Sequence, residues 1–315
     1  RKLIDRGARF SQAFSSAAVR LDSDTKLLAS LEGARNVVLP MFFSQGLMGA
    51  KPEVLPPVFT NSTVGVQVVL DADEIALPDG TKAVYPIVPF AEAAAGVGHV
   101  VVEPDLDGVV RRESPVVRYG DLRLPSYAIQ LVLAYLGIKP NDARLVPGRE
   151  VKVGSLSVPI DEQGKMLMTF SGPNGTFRAY PYQDVMNDKV SMDIFKDKIV
   201  IVGLTATAVG TLHTTPVAHN VSGIEMVATV IENVLHGRYL VRPAFAHKLE
   251  VGMLIVVGFF IMFMLPRLRA LWGFLLSMVL MLGLLAAGTY LFMNGQWIKV
   301  AYPGALLASG YLLIV

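Results

Sequence analysis

The chain has 315 residues, with 28 lysines and arginines, 26 aspartates and glutamates, and no cysteine. Because charge is nearly balanced and no Lys/Arg-rich block carries interleaved aromatics, the sequence excludes a nucleic-acid-binding surface of the usual kind. The lack of cysteine excludes disulfides, thiol chemistry and thiolate metal sites.

The first third of the chain predicts a helix and several buried strands. Leucines at helical spacing predict a helix over residues 24–33, with Ser23 or Asp24 as its N-terminal cap. Uniformly apolar or valine-rich segments predict strands at 37–43, 63–70 and 97–103. The region between the last two, residues 71–89, is expected to form a loop.

The central third predicts antiparallel hairpins. Strands and turns are expected at 109–117, 119–121 and 151–170, with further turns at 154–155 and 161–164. Between the hairpins, Leu124-Pro125-Ser126 opens an apolar helix to about residue 136, with Pro125 in its first turn.

The front domain ends with a predicted buried strand at 198–203 and a helix at 223–236. Buried strands alternating with helices favour an α/β fold, a mixed and mostly parallel sheet with flanking helices and hairpins. We expect this domain to cover residues 1–245.

The last fifth of the chain is apolar and predicts three transmembrane helices, at about 249–265, 271–293 and 300–315. The second of them would be about 34 Å long, enough to cross a hydrocarbon core of about 30 Å. Because the sequence starts without methionine and stops inside an apolar run, it is expected to be a fragment of a longer protein.

Residues 103–112 form the most distinctive local motif. Glu103, Asp105 and Asp107, followed by Gly108, would fill the first three ligand positions of a calcium loop, but the twelfth position is Ser114 where such a loop has a bidentate glutamate. A tight turn with a left-handed Gly108 is the favoured alternative. In that case we expect Arg111 or Arg112 to turn inward and pair with Asp105 or Asp107.

The loop that follows the predicted strand at 198–203 is rich in small and hydroxyl-bearing residues. Ligands bind preferentially at the carboxyl ends of strands in α/β sheets. The candidate ligand-binding residues there are Thr205, Thr207, Thr211, His213 and Thr214. The loop has neither a phosphate-loop lysine nor a dinucleotide glycine pattern, and the other histidines lack zinc-ligand spacing, so we expect no cofactor and no metal. No nucleophile or acid/base pair emerges, so no catalytic residue is assigned.

Four segments, in order, resemble the second class of CHASE domain, a sensory extracellular domain associated with bacterial cyclases and histidine kinases. They are residues 105–112, Leu124-Pro125-Ser126, residues 197–203 with the loop to Thr215-Pro216, and Gly223-Ile224-Glu225. The resemblance covers roughly residues 21–243. It implies a structural role for Asp105, Asp107, Gly108, Arg111, Arg112, Gly203, Pro216, Gly223 and Glu225.

The resemblance also implies an extracytoplasmic sensor that is preceded by one transmembrane helix, followed by three, and continued by a cytoplasmic output domain such as a nucleotide cyclase, diguanylate cyclase or kinase. Two positions depart from the family pattern: Thr211 stands where the family often has Asp, and Val227 where it often has His. The loss of both ionisable groups disfavours an enzyme and leaves ligand sensing open.

Charge in the short loops sets the expected topology. Counted over all residues near the membrane, Arg238, Arg242, Lys248 and Lys299 oppose an external domain, but in the short loops alone Arg267 and Arg269 outnumber Lys299 and favour the arginine loop in the cytoplasm. Together with the resemblance, this predicts that residues 1–248 lie outside. Trp297 is expected at the outer interface and Trp272 at the inner one. The predicted location is a bacterial inner membrane, with several spans.

The leading functional hypothesis is a signalling receptor that binds a small ligand or an envelope protein and relays the input through its helices. A homodimer is a natural route, because small residues in the second span permit close helix contact. These residues are Gly283, Ala286, Ala287 and Gly288. The alternative is a structural subunit of an envelope complex that uses the domain for docking.

Overall fold

The structure is a computed structural model that describes residues 21–44, 53–67, 77–206 and 210–314. The helices are α1 (Ser23–Ala34), α2 (Val88–Ala93), α3 (Tyr127–Leu136), α4 (Tyr182–Met186), α5 (Gly223–His236), α6 (Ala246–Phe259), α7 (Ala270–Met293) and α8 (Ala301–Ile314). The strands are β1 (Val38–Ser44), β2 (Gly65–Val66), β3 (Lys82–Val84), β4 (Gly96–His99), β5 (Arg112–Glu113), β6 (Val116–Tyr119), β7 (Leu122–Pro125), β8 (Arg144–Val146), β9 (Glu150–Val153), β10 (Leu156–Pro159), β11 (Met166–Met168), β12 (Leu212–His213), β13 (Val221–Ser222) and β14 (Tyr239–Leu240).

The domain is mixed α/β, as predicted, and its sheets are mixed. β1 lies between β3 and β4, parallel to β4 and antiparallel to β3. A second sheet has the order β10-β9-β8-β2, with β2 and β8 parallel, and a third has the antiparallel order β14-β11-β5. β6–β7 and β12–β13 are antiparallel pairs. Because hairpins dominate the described strands, the expectation of a mostly parallel sheet is not confirmed.

Several local predictions are confirmed, with corrected ends. Helix α1 forms, but its cap is Asp22, whose carboxylate accepts the Thr25 N–H at 3.0 Å. Helix α3 is capped by Ser126, which accepts the Ile129 N–H at 3.3 Å. Pro125 is the last residue of β7, so its predicted place in the first turn of the helix is wrong. The capping hydroxyl, rather than the proline, starts this helix.

Two other predictions need correction. Residues 71–76 lie outside the described residues, but 77–89, expected as loop, contain β3 and the start of α2. No strand forms at 198–203 within the part of the chain that the structure describes. Ile199 and Ile201 pack on the core, while Val200 and Val202 are 48% and 74% exposed. A continuous apolar run predicts a strand buried on both faces, whereas here only the face of Ile199 and Ile201 is covered.

The main core lies between α3 and α5 and the strands of the second and third sheets. Leu133 of α3, Val234 of α5, Val151 and Met166 are fully buried in one cluster. Burial of an aliphatic side chain of this size stabilises a fold by about 1.5–3 kcal/mol. α3 and α5 therefore share one core with the strands of the second and third sheets.

Two apolar helical segments are long enough to cross a membrane. Ala246–Arg267 is a continuous helical segment of 22 residues with a mean hydropathy of 2.3, and α7 has 24 residues with a mean hydropathy of 2.2. The first is longer than the predicted 249–265, because the helix starts at Ala246. The third predicted span appears as α8, which has 14 residues. At the helical rise it is about 21 Å long, shorter than a hydrocarbon core.

The loop between α7 and α8 returns to the α/β domain. Val241, directly after β14, forms a parallel β-bridge with Gln296. The Val241 N–H donates to the Gly295 carbonyl at 2.8 Å, and the Trp297 N–H donates to the Val241 carbonyl at 3.0 Å. The two candidate spans, Ala246–Arg267 and α7, are called the helix pair below. The loop and the domain therefore lie on the same side of this helix pair.

Candidate functional site

The motif at residues 105–112 is a tight turn held by one arginine. Gly108 has φ of 78°, which a residue with a side chain adopts only under strain, and its N–H donates to the Asp105 carbonyl at 2.8 Å. The Arg111 guanidinium binds Asp107 at 2.7 and 2.9 Å and Asp105 at 2.9 Å. That hydrogen bonding lowers the pKa of Asp107 to about 2. Both carboxylates thus face an internal cation, an arrangement that suits a structural turn.

Arg112 binds a different element. It lies on β5, and its guanidinium is 3.5 Å from the Asp161 carboxylate. Asp161 itself closes the turn before β11 by accepting the N–H groups of Gln163 and Lys165, both at 2.9 Å. The two adjacent arginines therefore tie the motif to itself and to the third sheet.

The threonine-rich loop lies against this motif. The Val110 N–H donates to the Thr214 carbonyl at 2.8 Å. Next along the chain, the Thr215 N–H and hydroxyl both donate to the Ala218 carbonyl at 2.9 Å, which closes a turn over Pro216. The structure thus brings together two motifs that are about 100 residues apart in sequence.

Gly203, Thr211, His213 and Gly223 converge at the N-terminus of α5. The Gly223 N–H donates to the Thr211 carbonyl at 3.1 Å. A Cβ on Gly223 would lie 3.3 Å from the Thr211 hydroxyl and 4.0 Å from His213 Nε2, and a Cβ on Gly203 would lie 2.6 Å from Ile224 Cδ1. Both glycines therefore lie close to neighbouring side chains, which would have to shift to accept a methyl group, and the sequence pattern alone could not assign this closeness.

The remaining predicted site residues lie around this point. His213 is half-buried, and burial lowers its pKa, so its imidazole is neutral at pH 7. Glu225 accepts the Gly175 N–H at 2.6 Å and so joins α5 to the loop at 172–176. Thr205 is exposed, and Thr207 lies outside the described residues.

A small cavity lies beside the end of this loop. The cavity that touches Thr215, Glu225 and Thr229 measures about 10 Å³, which is room for a single water molecule. A much larger groove of about 540 Å³ lies elsewhere, lined by Phe43, residues 100–104 and Lys165. Its volume is in the range of small-molecule sites. Sequence reasoning missed it, because three distant segments build it.

The groove combines an ion pair with aromatic and aliphatic walls. The Lys165 ammonium pairs with the Glu103 carboxylate, and both side chains are about one-fifth exposed. Behind the wall, His99 is fully buried; its Nδ1 accepts the Val101 N–H at 3.4 Å, and burial lowers its pKa to about 3. Its neutral ring lies 6.1 Å from that of Phe43. The groove therefore presents a mutually paired cation and anion beside aromatic and aliphatic side chains.

Comparison with known families gives one match. The family model of the CHASE2 domain matches residues 5–265, which include the turn motif, the threonine-rich loop and the start of α5. No curated protein and no solved structure matches the chain.

Proposed function

The chain belongs to the CHASE2 domain family of extracellular sensory domains of signalling proteins, and we propose that it is a membrane-anchored sensor that relays an external input through its apolar helices. The observation that carries the relay is the pair of backbone hydrogen bonds that Val241 makes, donating to the Gly295 carbonyl and accepting the Trp297 N–H. Through them the last strand of the domain is joined to the loop beyond the second candidate span. A shift of that strand therefore moves the helix pair.

The proposed topology places residues 1–248 outside a bacterial inner membrane. Two crossings return the chain to the side of the domain, which leaves Pro266 and the loop arginines Arg267 and Arg269 at the far end. Arginines in a short loop favour the cytoplasm, and the family is extracellular. Trp297 then lies at the outer interface, as aromatic belts require.

Cysteine labelling tests the topology. The chain has no cysteine, so Asp121→Cys and Arg269→Cys each introduce a single thiol in the chain, and both positions are exposed. In intact cells an impermeant maleimide should label the first variant and spare the second, while lysis should expose both. Protection of the Asp121→Cys variant in intact cells would overturn the proposed orientation.

We place a small ligand in the groove rather than at Thr211 and His213. The groove has about 540 Å³, against about 10 Å³ for the cavity that touches Thr215, Glu225 and Thr229. Native mass spectrometry of the chain in mild detergent checks this placement, with a Val101→Trp variant that fills the groove. A small molecule retained equally by both proteins would contradict it.

A homodimer is the proposed route of relay. Gly283, Ala286 and Ala287 are exposed on α7 and leave a face for a second copy. Gly288 does not belong to that face, because it packs against Val300 within the chain. An input can shift the dimer only if it binds one arrangement better than another.

A docking subunit is the second candidate function. It is favoured by a row of exposed apolar side chains, in which Val200, Val202 and Leu204 are 48%, 74% and 62% exposed. If this row is an interface between two copies, Val202→Lys should lower the mass measured by light scattering in detergent. An unchanged mass would remove the support that this row gives to docking.

A further inference from the structure

We propose that Glu250 is a clamp that locks the sensor domain to the membrane helices by binding the domain's exit and the start of α8 at once. This inference rests on the proposed relay and names the residue on which it depends. The joint is defined here as Val241, Arg242, Glu250 and residues 295–299.

The two oxygens of the Glu250 carboxylate have different partners. Oε2 accepts from the Arg242 guanidinium at 2.8 Å, and Oε1 accepts the backbone N–H of Lys299 at 2.9 Å. Arg242 follows directly on Val241, and Lys299 precedes α8 by two residues. One side chain on α6 therefore holds two segments that are far apart in sequence.

Leaving the Glu250 carboxylate unpaired would cost free energy, because its surroundings are buried and apolar. Glu250 is 9% exposed and lies in a segment that is otherwise apolar from Leu249 to Leu265. A buried carboxylate is tolerated only when it is paired and hydrogen-bonded. A structural alternative, in which Glu250 is an incidental surface ion pair, would leave it open to water and bound to one partner.

Trp297 completes the joint from the loop side. The Arg242 guanidinium lies 5.7 Å and the Lys299 ammonium 5.9 Å from the centroid of its ring. Gly295 has φ of 73°, and a Cβ there would lie 2.9 Å from the Tyr239 carbonyl. The loop is therefore fitted to the end of β14 by backbone contact as well as by charge.

The joint is continuous with the interior of the domain. β14 pairs with β11, and β11 pairs with β5 in the turn motif. The side chain of Asn233 on α5 exchanges two hydrogen bonds with Thr169, directly after β11. A displacement of α5 or of the motif thus reaches Val241 through a hydrogen-bonded sheet.

The test measures how fast a disulfide forms across the joint, since the rate depends on how often the two segments lie together. Val241 and Gln296 are β-bridge partners, and neighbouring β-segments lie about 4.8 Å apart, within the Cα separation of about 4.4–6.8 Å that a disulfide spans. In the cysteine-free chain, a Val241→Cys/Gln296→Cys pair should oxidise rapidly in detergent or nanodiscs. Glu250→Gln should slow that oxidation on the order of tenfold.

The matched control is Glu232→Gln, because Glu232 pairs with Arg238 at 3.5 Å outside the joint. It should leave the rate within about twofold of the parent, because neither Arg238 nor Ser171, which bind the Glu232 carboxylate, belongs to the joint. If Glu250→Gln does not fold, Arg242→Gln leaves α6 intact and carries the same test. Rates within about twofold of the parent in the folded Glu250 or Arg242 variant would overturn the clamp.

This outcome is independent of the labelling experiment. A failed topology overturns the proposed function but leaves the cross-linking rates as they are. Slow or unchanged cross-linking, conversely, says nothing about which side of the membrane the domain faces.

Discussion

Asn233 and Thr169 are bound to each other by a reciprocal pair of hydrogen bonds. The Thr169 N–H donates to Asn233 Oδ1 at 2.7 Å, and Asn233 Nδ2 donates to the Thr169 carbonyl at 2.8 Å. Asn233 is fully buried, so its amide replaces the strand partner that the backbone of Thr169 would otherwise need. Helix α5 is thereby fixed to the end of β11.

Replacing Asn233 with alanine should therefore cost about 2–4 kcal/mol of unfolding free energy, since two partly buried backbone groups of Thr169 lose their partner. Chemical denaturation followed by circular dichroism measures this loss. Asn174→Ala is the matched control, because Asn174 is exposed and donates a single bond to the Asn220 carbonyl at 3.2 Å. Equal losses of unfolding free energy in the two variants would show that the reciprocal pair stabilises the fold no more than the single hydrogen bond of Asn174 does.

The contacts in the turn motif predict a lowered pKa for the Asp107 carboxyl group. Arg111 lowers the pKa of Asp107 from 3.8 to about 2, so the favourable contribution of this group is present above pH 3.8 and disappears as pH falls through about 2. In an Arg111→Gln variant the pKa of Asp107 should return toward 3.8. Carbon NMR titration of the carboxyl group follows it directly, with Arg112→Gln as the control that should leave the value low.

Equal titration curves in the two arginine variants would contradict the assignment of Arg111 as the partner of Asp107. A low pKa that persists in both would instead point to the backbone N–H of Val109, which Asp107 also accepts at 3.1 Å.

Glu113 predicts the opposite pH dependence. As a residue it is partly exposed, but its carboxyl group is buried, and burial raises its pKa from 4.5 to about 8, opposed by a hydrogen bond with Ser126. The folded state therefore keeps a proton that the unfolded state loses above pH 4.5. Stability should be full below pH 4.5 and fall as pH rises to about 8.

Glu113→Gln imitates the protonated acid and should flatten this part of the curve of unfolding free energy against pH. Glu162→Gln, a change at an exposed position, should leave the slope as it is in the parent. If the slope between pH 4.5 and 8 survives in Glu113→Gln, another group is responsible for it.

Local chemistry explains which features could be predicted from the sequence. The left-handed Gly108 and the cap at Ser126 depend on residues within a few positions, so the turn and the start of α3 follow from the residue types. The groove between Phe43 and Lys165 is built by three segments that are distant in sequence. The exposure of Val202 depends on which other elements pack over its segment. Neither is encoded in a local pattern.

The joint shows an intermediate case. Glu250 is the acidic residue at the head of an apolar run, with Arg242 eight positions before it. That lone charge was a usable signal of a partnered carboxylate. Its second partner, the backbone N–H of Lys299, could not be predicted, because it depends on how the loop folds back.

Replacing Gly295 tests how closely the loop must pack against the end of β14. An alanine there would have to adopt φ of 73° and would also place its Cβ 2.9 Å from the Tyr239 carbonyl. Gly237 is a matched control: its φ is 63°, and a Cβ there meets nothing within 4 Å. Both alanine variants should lose about 1–2 kcal/mol to backbone strain.

The two variants should differ at the joint. Only Gly295→Ala forces the loop away from β14, because the clash is with backbone atoms that have no rotamer to change. It should therefore slow disulfide formation in the Val241→Cys/Gln296→Cys protein, whereas Gly237→Ala should leave that rate unchanged despite a similar loss of stability. Equal rates in the two variants would mean that the loop adapts to a methyl group, and that the contact between Gly295 and Tyr239 does not position the helix pair.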